Sequence, residues 1–332
     1  MFVELIKDNY LRGSGSGRTW HVDIDPPKRK VKSYYEETLL VSEYMYANKT
    51  GKLLLMLSGG LDSEYVFRIF HRLKFDFTPV IVRLTGKHHR GDYNANDIVQ
   101  GFQLCKTYNI EPIVINFDFD KFFDSGEIFE IMHTWKCRGI GVATICKVAE
   151  SLDGFTVMGN DPPYLRYNKS TKEWQLEEEE LIHSLLRFYQ GKNLQGCPFL
   201  LSYTPEMMLS FLLDPRIVDL ANGKFPGKEG TNSSKSHVFN NGSEFHMEHY
   251  NVDLAKKFAR GEIITPAARA RGEIFDGIVP RYKQNGIEII IKIPHFYKKI
   301  QEIMLVHTEH ALYNGCYKEN YNDIIQRLSV HQ

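Results

Sequence analysis

The 332-residue chain has no net charge, because 41 lysines and arginines are balanced by 41 aspartates and glutamates. That balance excludes a global positive field, so nucleic acid and anionic membranes are disfavoured partners, although a local basic groove for a tRNA stays open. Cysteine is scarce. Five are scattered at Cys105, Cys137, Cys146, Cys197 and Cys316, never spaced as Cys-x-x-Cys, which argues against a disulfide framework or a structural zinc site. No stretch approaches the about 18 consecutive apolar residues that a membrane-spanning helix needs. The first residues carry no basic-then-apolar leader, and with the cysteine usage this predicts a cytoplasmic protein. Gly-Lys-Ser/Thr is missing throughout, which excludes the Walker-type phosphate loop. There is no internal repeat. What remains, 42% hydrophobic and 25% charged residues, is the composition of an ordinary globular protein with length enough for a large core.

Against that plain background one segment stands out. The apolar run Lys52–Leu57 leads into Ser58-Gly59-Gly60-Leu61-Asp62-Ser63 and then into Glu64-Tyr65-Val66-Phe67-Arg68-Ile69-Phe70. This reads as strand, glycine turn and helix N-terminus in succession. Two glycines let the backbone turn sharply and approach a ligand without a Cβ in the way. The helix points its leading N–H groups and positive dipole end at the turn, and two serine hydroxyls add donors, so the segment suits a phosphate or pyrophosphate. Asp62 within such a cage would repel the ligand unless a cation intervened, and Mg²⁺ resolves that conflict because it binds one or two carboxylates together with phosphate oxygens.

From Lys52 to about Asp161 strand and helix patterns alternate. Strands are expected at Lys52–Leu57, Pro79–Leu84, Pro112–Phe117 and Phe155–Met158, each a short apolar or β-branched run without alternation, as in a sheet covered on both faces. Helices are expected at Glu64–Leu73, Asn94–Tyr108 and Gly139–Leu152. The pattern predicts an α/β fold built on a doubly wound parallel sheet, with its ligand at the carboxyl edge of the strands, where the loops Ser58–Ser63, Thr85–Asn94, Asp118–Asp124 and Gly159–Pro163 lie. Before this unit, Gly13–Gly17 reads as a flexible loop and Tyr34–Tyr46 as an amphipathic helix. After it come a hairpin turning at Asn168-Lys169-Ser170-Thr171, a helix at Glu179–Tyr189, and a helix opened by Thr204-Pro205-Glu206. Ala221–Gly242, rich in Gly, Asn, Ser and Lys, reads as a long loop or lid. The expected organisation is an N-terminal extension over 1–50, an ATP-binding unit over 51–165 and a substrate-specifying region over 166–332.

Ser-Gly-Gly-x-Asp-Ser resembles the PP-loop of the N-type ATP pyrophosphatases, the superfamily of asparagine synthetase synthase domains, argininosuccinate synthetase and ammonia-dependent NAD synthetase. The resemblance covers about residues 50–165 and implies a HUP-like, adenine nucleotide alpha hydrolase-like sheet followed by an irregular, mostly helical C-terminal region. It implies ATP and Mg²⁺ as cofactors, with cleavage between the α and β phosphates. Carried over residue by residue, Ser58, Gly59, Gly60, Leu61, Asp62 and Ser63 would bind the phosphates and Asp62 the metal. Gly159-Asn160-Asp161 is similar to a Gly-x-x-x-Asp type segment facing the PP-loop, with Gly159 allowing close approach and Asp161 holding metal or substrate. Arg138, in Lys136-Cys137-Arg138, would neutralise charge on the departing pyrophosphate. Adenine would be read by main-chain atoms near Met56-Leu57 and Arg83-Leu84-Thr85, Leu84 among them.

Other residues carry less. His88-His89-Arg90 follows the second strand, His246-x-x-His249 has helical spacing without a zincin signature, and Lys235, Arg269 and Arg271 are cations able to fold over ATP as lysines of some relatives do. Cys137 lies where tRNA-thiolating relatives use cysteine, without a paired motif. Phe2 stands where glutamine-dependent asparagine synthetases carry their catalytic cysteine, and about fifty residues precede the PP-loop, so the chain is not expected to make its own ammonia that way and a separate ammonia or sulfur donor stays open. The predicted activity is an asparagine-synthase-like ligase that adenylates a small-molecule carboxylate or amide/carbonyl oxygen and then transfers ammonia or an amine. A sulfur-transfer or tRNA-modifying enzyme and a non-catalytic nucleotide-binding or assembly protein are the alternatives, and a homo-oligomer stays open.

Overall fold

A computed structural model describes residues 12–14, 21–23, 27–87, 91–135, 140–160, 162–178, 180–224, 234–247 and 317–329. Its centre is a five-stranded, wholly parallel sheet of β3 (Leu53–Met56), β4 (Thr78–Thr85), β5 (Ile113–Asp118), β6 (Phe155–Met158) and β9 (Gly196–Cys197), in the spatial order β5-β4-β3-β6-β9. β3 is therefore the middle strand. Successive strands are laid down outward on one side of it (β3, β4, β5) and then on the other (β6, β9), so the direction of winding reverses between β3 and β6. Crevices at such reversals, at the carboxyl ends of the strands, are where open α/β sheets bind ligands.

The helices between the strands are α2 (Leu61–Arg72), α3 (Ala95–Tyr108), α4 (Phe119–Asp124), α5 (Glu127–Trp135) and α6 (Ile140–Glu150). The four strands expected from sequence are all present within a residue or two of their bounds. β6 is buried at every position, as an apolar run in a doubly covered sheet should be, whereas the edge strand β5 leaves Ile113 and Val114 exposed, against the expectation that both faces of every strand are covered. The segment 118–124, expected as a loop, is instead a short helix. Asp118 caps it by accepting from the Lys121 amide at 2.9 Å, and Phe119, Phe122 and Phe123 are buried at helical spacing.

The remaining described residues are mostly helical. α1 (Tyr34–Asn48) starts on a capping box, in which Ser33 accepts from the Glu36 amide and Glu36 accepts from the Ser33 amide. It is not the simple amphipathic helix expected, since Glu37, Thr38 and Ser42 lie fully buried with Tyr34, Val41 and Met45. Glu37 is held there by the Arg29 guanidinium and the Lys32 amide. The hairpin of β7 (Tyr164–Asn168) and β8 (Glu173–Glu178) forms as expected and gains a third antiparallel strand, β10 (Tyr317–Asn320). α7 (Glu180–Gly191), α8 (Pro205–Leu212), α9 (Pro215–Ala221), α10 (Lys235–Asn240) and α11 (Tyr321–Leu328) complete the described elements. Thr204 caps α8 by accepting from the Met207 amide, with Pro205 at its first position, as the sequence predicts. Two further expectations fail. Gly13 and Ser14, at the start of the expected flexible loop Gly13–Gly17, belong to β1 (Arg12–Ser14), which pairs with β2 (His21–Asp23). Part of the expected lid is α10, anchored by the fully buried Val238 and Phe239.

Among the described residues no helix is long and apolar enough to cross a membrane. Cys105, Cys146 and Cys197 are buried thiols that form no disulfide. Burial pushes the Cys105 thiol up to about 11 and the Cys197 thiol up to about 12, so both stay protonated and inert.

Candidate functional site

Beyond β3 the Leu57 amide makes one more sheet bond, to the Val80 carbonyl at 2.8 Å, and the chain then turns. Gly59 has φ +87°, and a Cβ there would lie 1.9 Å from the Asp97 carbonyl oxygen in the first turn of α3. Glycine is required at this position twice over, by the backbone angle and by the close approach. Gly60 follows in extended conformation and is the N-cap of α2, with no side chain to cap the leading amides. The helix thus begins at Leu61, three residues earlier than the sequence pattern suggests, and Asp62 and Ser63 belong to its first turn.

The two serines serve the turn itself. Ser58 Oγ accepts from the Gly60 amide at 3.3 Å and lies 3.1 Å from Ser63 Oγ, which donates to the Gly60 carbonyl at 2.9 Å. This small ring holds Gly60 outward: Ser58 and Gly60 are exposed, whereas Leu61 and Ser63 are buried. An exposed, uncapped helix start at the end of the central strand leaves amides and a positive dipole end able to receive a negatively charged oxygen.

Gly159 closes the other side of the crevice. A Cβ on it would stand 2.6 Å from the Asp62 carbonyl oxygen, so the end of β6 lies directly against the start of α2 at the reversal point of the sheet. Asn160 donates to the Pro198 carbonyl and ties this segment to the chain beyond β9. Asp161, the next residue, lies outside the described residues, as do Arg138, Cys137, His88, His89, Arg90, His249, Arg269 and Arg271. Among the described residues no group of three or more metal-ligating side chains gathers.

Leu84 sits near the end of β4 with both backbone groups engaged. Its amide donates to Asn94 Oδ1 at 2.9 Å, and its carbonyl accepts from the Tyr93 amide at 2.7 Å. Asn94 Nδ2 donates to the Val82 carbonyl at 2.8 Å, so this side chain continues the ladder where β4 runs past the shorter β3. Any contact of a ligand with Leu84 would therefore rest on its side chain or on the second lone pair of its carbonyl.

The residue that transforms the site is Lys235. It comes from α10, far along the chain, and its Nζ lies 3.0 Å from Asp62 Oδ2, with the lysine side chain 5% and the aspartate 19% exposed. Such a pair is sheltered from solvent, so its charges interact far more strongly than surface ions. The sequence singles Lys235 out only as one cation in a Ser/Asn-rich stretch; nothing local says that it meets Asp62. Further contacts join the same two segments of chain. Tyr65 stacks on Phe239 at 4.2 Å with rings nearly parallel, and Arg72 pairs with Glu244 at 2.7 Å.

No protein-family profile matches this chain, and no curated protein matches it. Among solved structures, it is similar to an ammonia-dependent NAD synthetase from Campylobacter jejuni, in complex with nitrate. The likeness covers 39% of this chain and 56% of that one, at 16% identity and a TM-score of 0.28. This chain thus spans little more than half of that protein's length, and so partial a likeness leaves the chemistry to be read from the turn itself.

Proposed function

We propose that this protein is an ATP pyrophosphatase. ATP would bind with its phosphates on Ser58–Ser63, and a carboxylate or amide/carbonyl oxygen of a small substrate would attack the α-phosphorus. Pyrophosphate would depart, and ammonia or an amine would then displace AMP from the adenylated carbon. One arrangement carries this reading: an exposed, uncapped helix start after the central strand, with the buried Asp62–Lys235 pair beside it.

The chain's contribution is positioning and charge. The leading amides of α2 receive phosphate oxygens, and Gly60 lets them come close. Lys235 brings a sheltered positive charge to the place where negative charge accumulates on pyrophosphate. The donor set suits Mg²⁺, since Asp62 supplies one hard carboxylate beside the phosphate site and this ion needs few protein ligands. Asp62, with Asp161 proposed as its partner, would hold the ion, which when bound neutralises phosphate charge. Arg138 is proposed as a second cation toward the pyrophosphate.

The test is ATP turnover with Mg²⁺ and a pool of small metabolites, resolving AMP plus pyrophosphate from ADP plus phosphate. AMP plus pyrophosphate is the expected result. ADP plus phosphate would refute the reading, and stoichiometric ATP binding without turnover would identify a nucleotide-binding protein instead.

A further inference from the structure

Lys235 reaches Asp62 because two segments are held in register. Along α2, Asp62, Tyr65 and Arg72 lie on one stripe, spaced by three and then seven residues. Along the second segment, Lys235 and Phe239 are four apart on α10, and Glu244 follows. The contacts run in the same order on both: Asp62 with Lys235 at 3.0 Å, Tyr65 with Phe239 at 4.2 Å, and Arg72 with Glu244 at 2.7 Å. Phe245 adds an edge-on contact to Tyr65 at 6.1 Å, and the Tyr35 hydroxyl donates to Glu244 at 3.0 Å.

α10 has only six residues, too few to stand as a helix without tertiary support. A lysine has four rotatable side-chain bonds, and its ammonium stays at one point only if its backbone does. The support comes from the rings. Tyr65 and Phe239 are fully buried, and Tyr34 stacks on both, at 6.1 and 6.0 Å. We propose that Tyr65 and Phe239 are positioning residues that set where the Lys235 ammonium stands at the glycine turn, with the Arg72–Glu244 pair as the outer clasp. The consequence for catalysis rests on the reading of the turn as a phosphate site, whereas the positioning itself does not.

The experiment uses no nucleotide, so its outcome is separate from that of ATP turnover. The full chain is treated with an acetylating N-hydroxysuccinimide ester, and the rate at Lys235 is read by peptide mass spectrometry against Lys87, whose side chain is 71% exposed. Tyr65→Leu removes the stacked ring and is expected to speed acetylation of Lys235 about tenfold through local loosening. Tyr65→Phe keeps the ring and is expected to hold the wild-type rate. Arg72→Gln, a surface change safe for folding, is expected to raise the rate about twofold. The thiol reactivity of the fully buried Cys197 serves as the control. A wild-type Lys235 rate in both Tyr65→Leu and Arg72→Gln overturns the assignment, and so does a rise at Lys235 matched by a rise at Cys197, which marks general unfolding. If Tyr65→Leu does not fold, Arg72→Gln against wild type decides.

Discussion

Asp120 and Asp62 both stand at the carboxyl edge of the sheet, and their surroundings differ in kind. Asp120, just past β5, is 4% exposed and accepts from the Tyr93 hydroxyl at 2.6 Å and from the Lys87 amide. Its donors are neutral, and both come from the segment that follows β4. Asp62 faces a sheltered ammonium delivered from 173 residues away, beside a helix start with no side-chain cap. The first arrangement braces a loop, since neutral donors satisfy the carboxylate and nothing further is offered to a ligand. The second gathers a carboxylate, a cation and helix amides at one point, the arrangement on which the proposed phosphate and metal site rests. Depth of burial alone does not separate them; the charge and origin of the partner do.

The difference can be broken most directly at Asp62. Asp62→Asn is expected to lower pyrophosphate release about 100-fold, the scale of removing one preorganised electrostatic group. It should also cost about 2 kcal/mol of stability, toward the low side for breaking a buried pair because the aspartate is 19% exposed. Steady-state turnover with a thermal melt checks both, and wild-type turnover in this variant would remove Asp62 from the mechanism. Gly60→Ala probes the ligand side of the same turn. A Cβ there meets only Ser58 Oγ, at 3.5 Å, so stability is expected to change by less than about 0.5 kcal/mol. ATP affinity, measured by calorimetry, is expected to fall about tenfold because that Cβ would stand where phosphate approaches; unchanged affinity would mean that phosphate binds elsewhere.

Asp120→Asn should lower stability without lowering turnover, whereas Asp62→Asn lowers both. One donor of the pair from Tyr93 and Lys87 loses its acceptor, at a cost of about 1–2 kcal/mol, while turnover per folded molecule stays within about threefold. Loss of turnover at unchanged melting temperature would erase the distinction between the two sites. A third carboxylate, on the surface, calibrates the scale. Glu36 is held below its ordinary value first by the Ser33 hydroxyl and then by the Ser33 amide. A lowered folded value means that its contribution is present above the unfolded value of about 4.3 and fades as pH falls through the folded one. Glu36→Gln is therefore expected to lower the melting temperature by less than about 2 °C at pH 7, an effect that shrinks as pH falls below about 4.3.

Much of this fold is legible in the chain because it is local. Lys52–Leu57, the glycine turn and the helix after it occupy consecutive residues, and strand, turn and helix signals act over that range. The same holds for the Asn168–Thr171 turn and the Thr204-Pro205 start. The helix over 119–124 was hidden because Asp118 reads equally as a loop residue and as a cap, and only burial of its phenylalanines decides. α10 was hidden by its Ser- and Asn-rich approach, and β9 by having only two residues.

Residue types at fixed short spacing are enough to call for a parallel sheet, a glycine turn after its first parallel strand, and a carboxylate beside that turn, which is Asp62 in the first turn of α2. The central place of β3, the approach of Gly159 to Asp62, the cover of Asn94 over the end of β4 and the pairing of Lys235 with Asp62 come from folding. Those outcomes depend on contacts between distant segments, on which hydrophobic face meets which. The Asp62–Lys235 pair is set by the stacking of Tyr65 on Phe239, a match of two buried rings that no local pattern along the chain can announce.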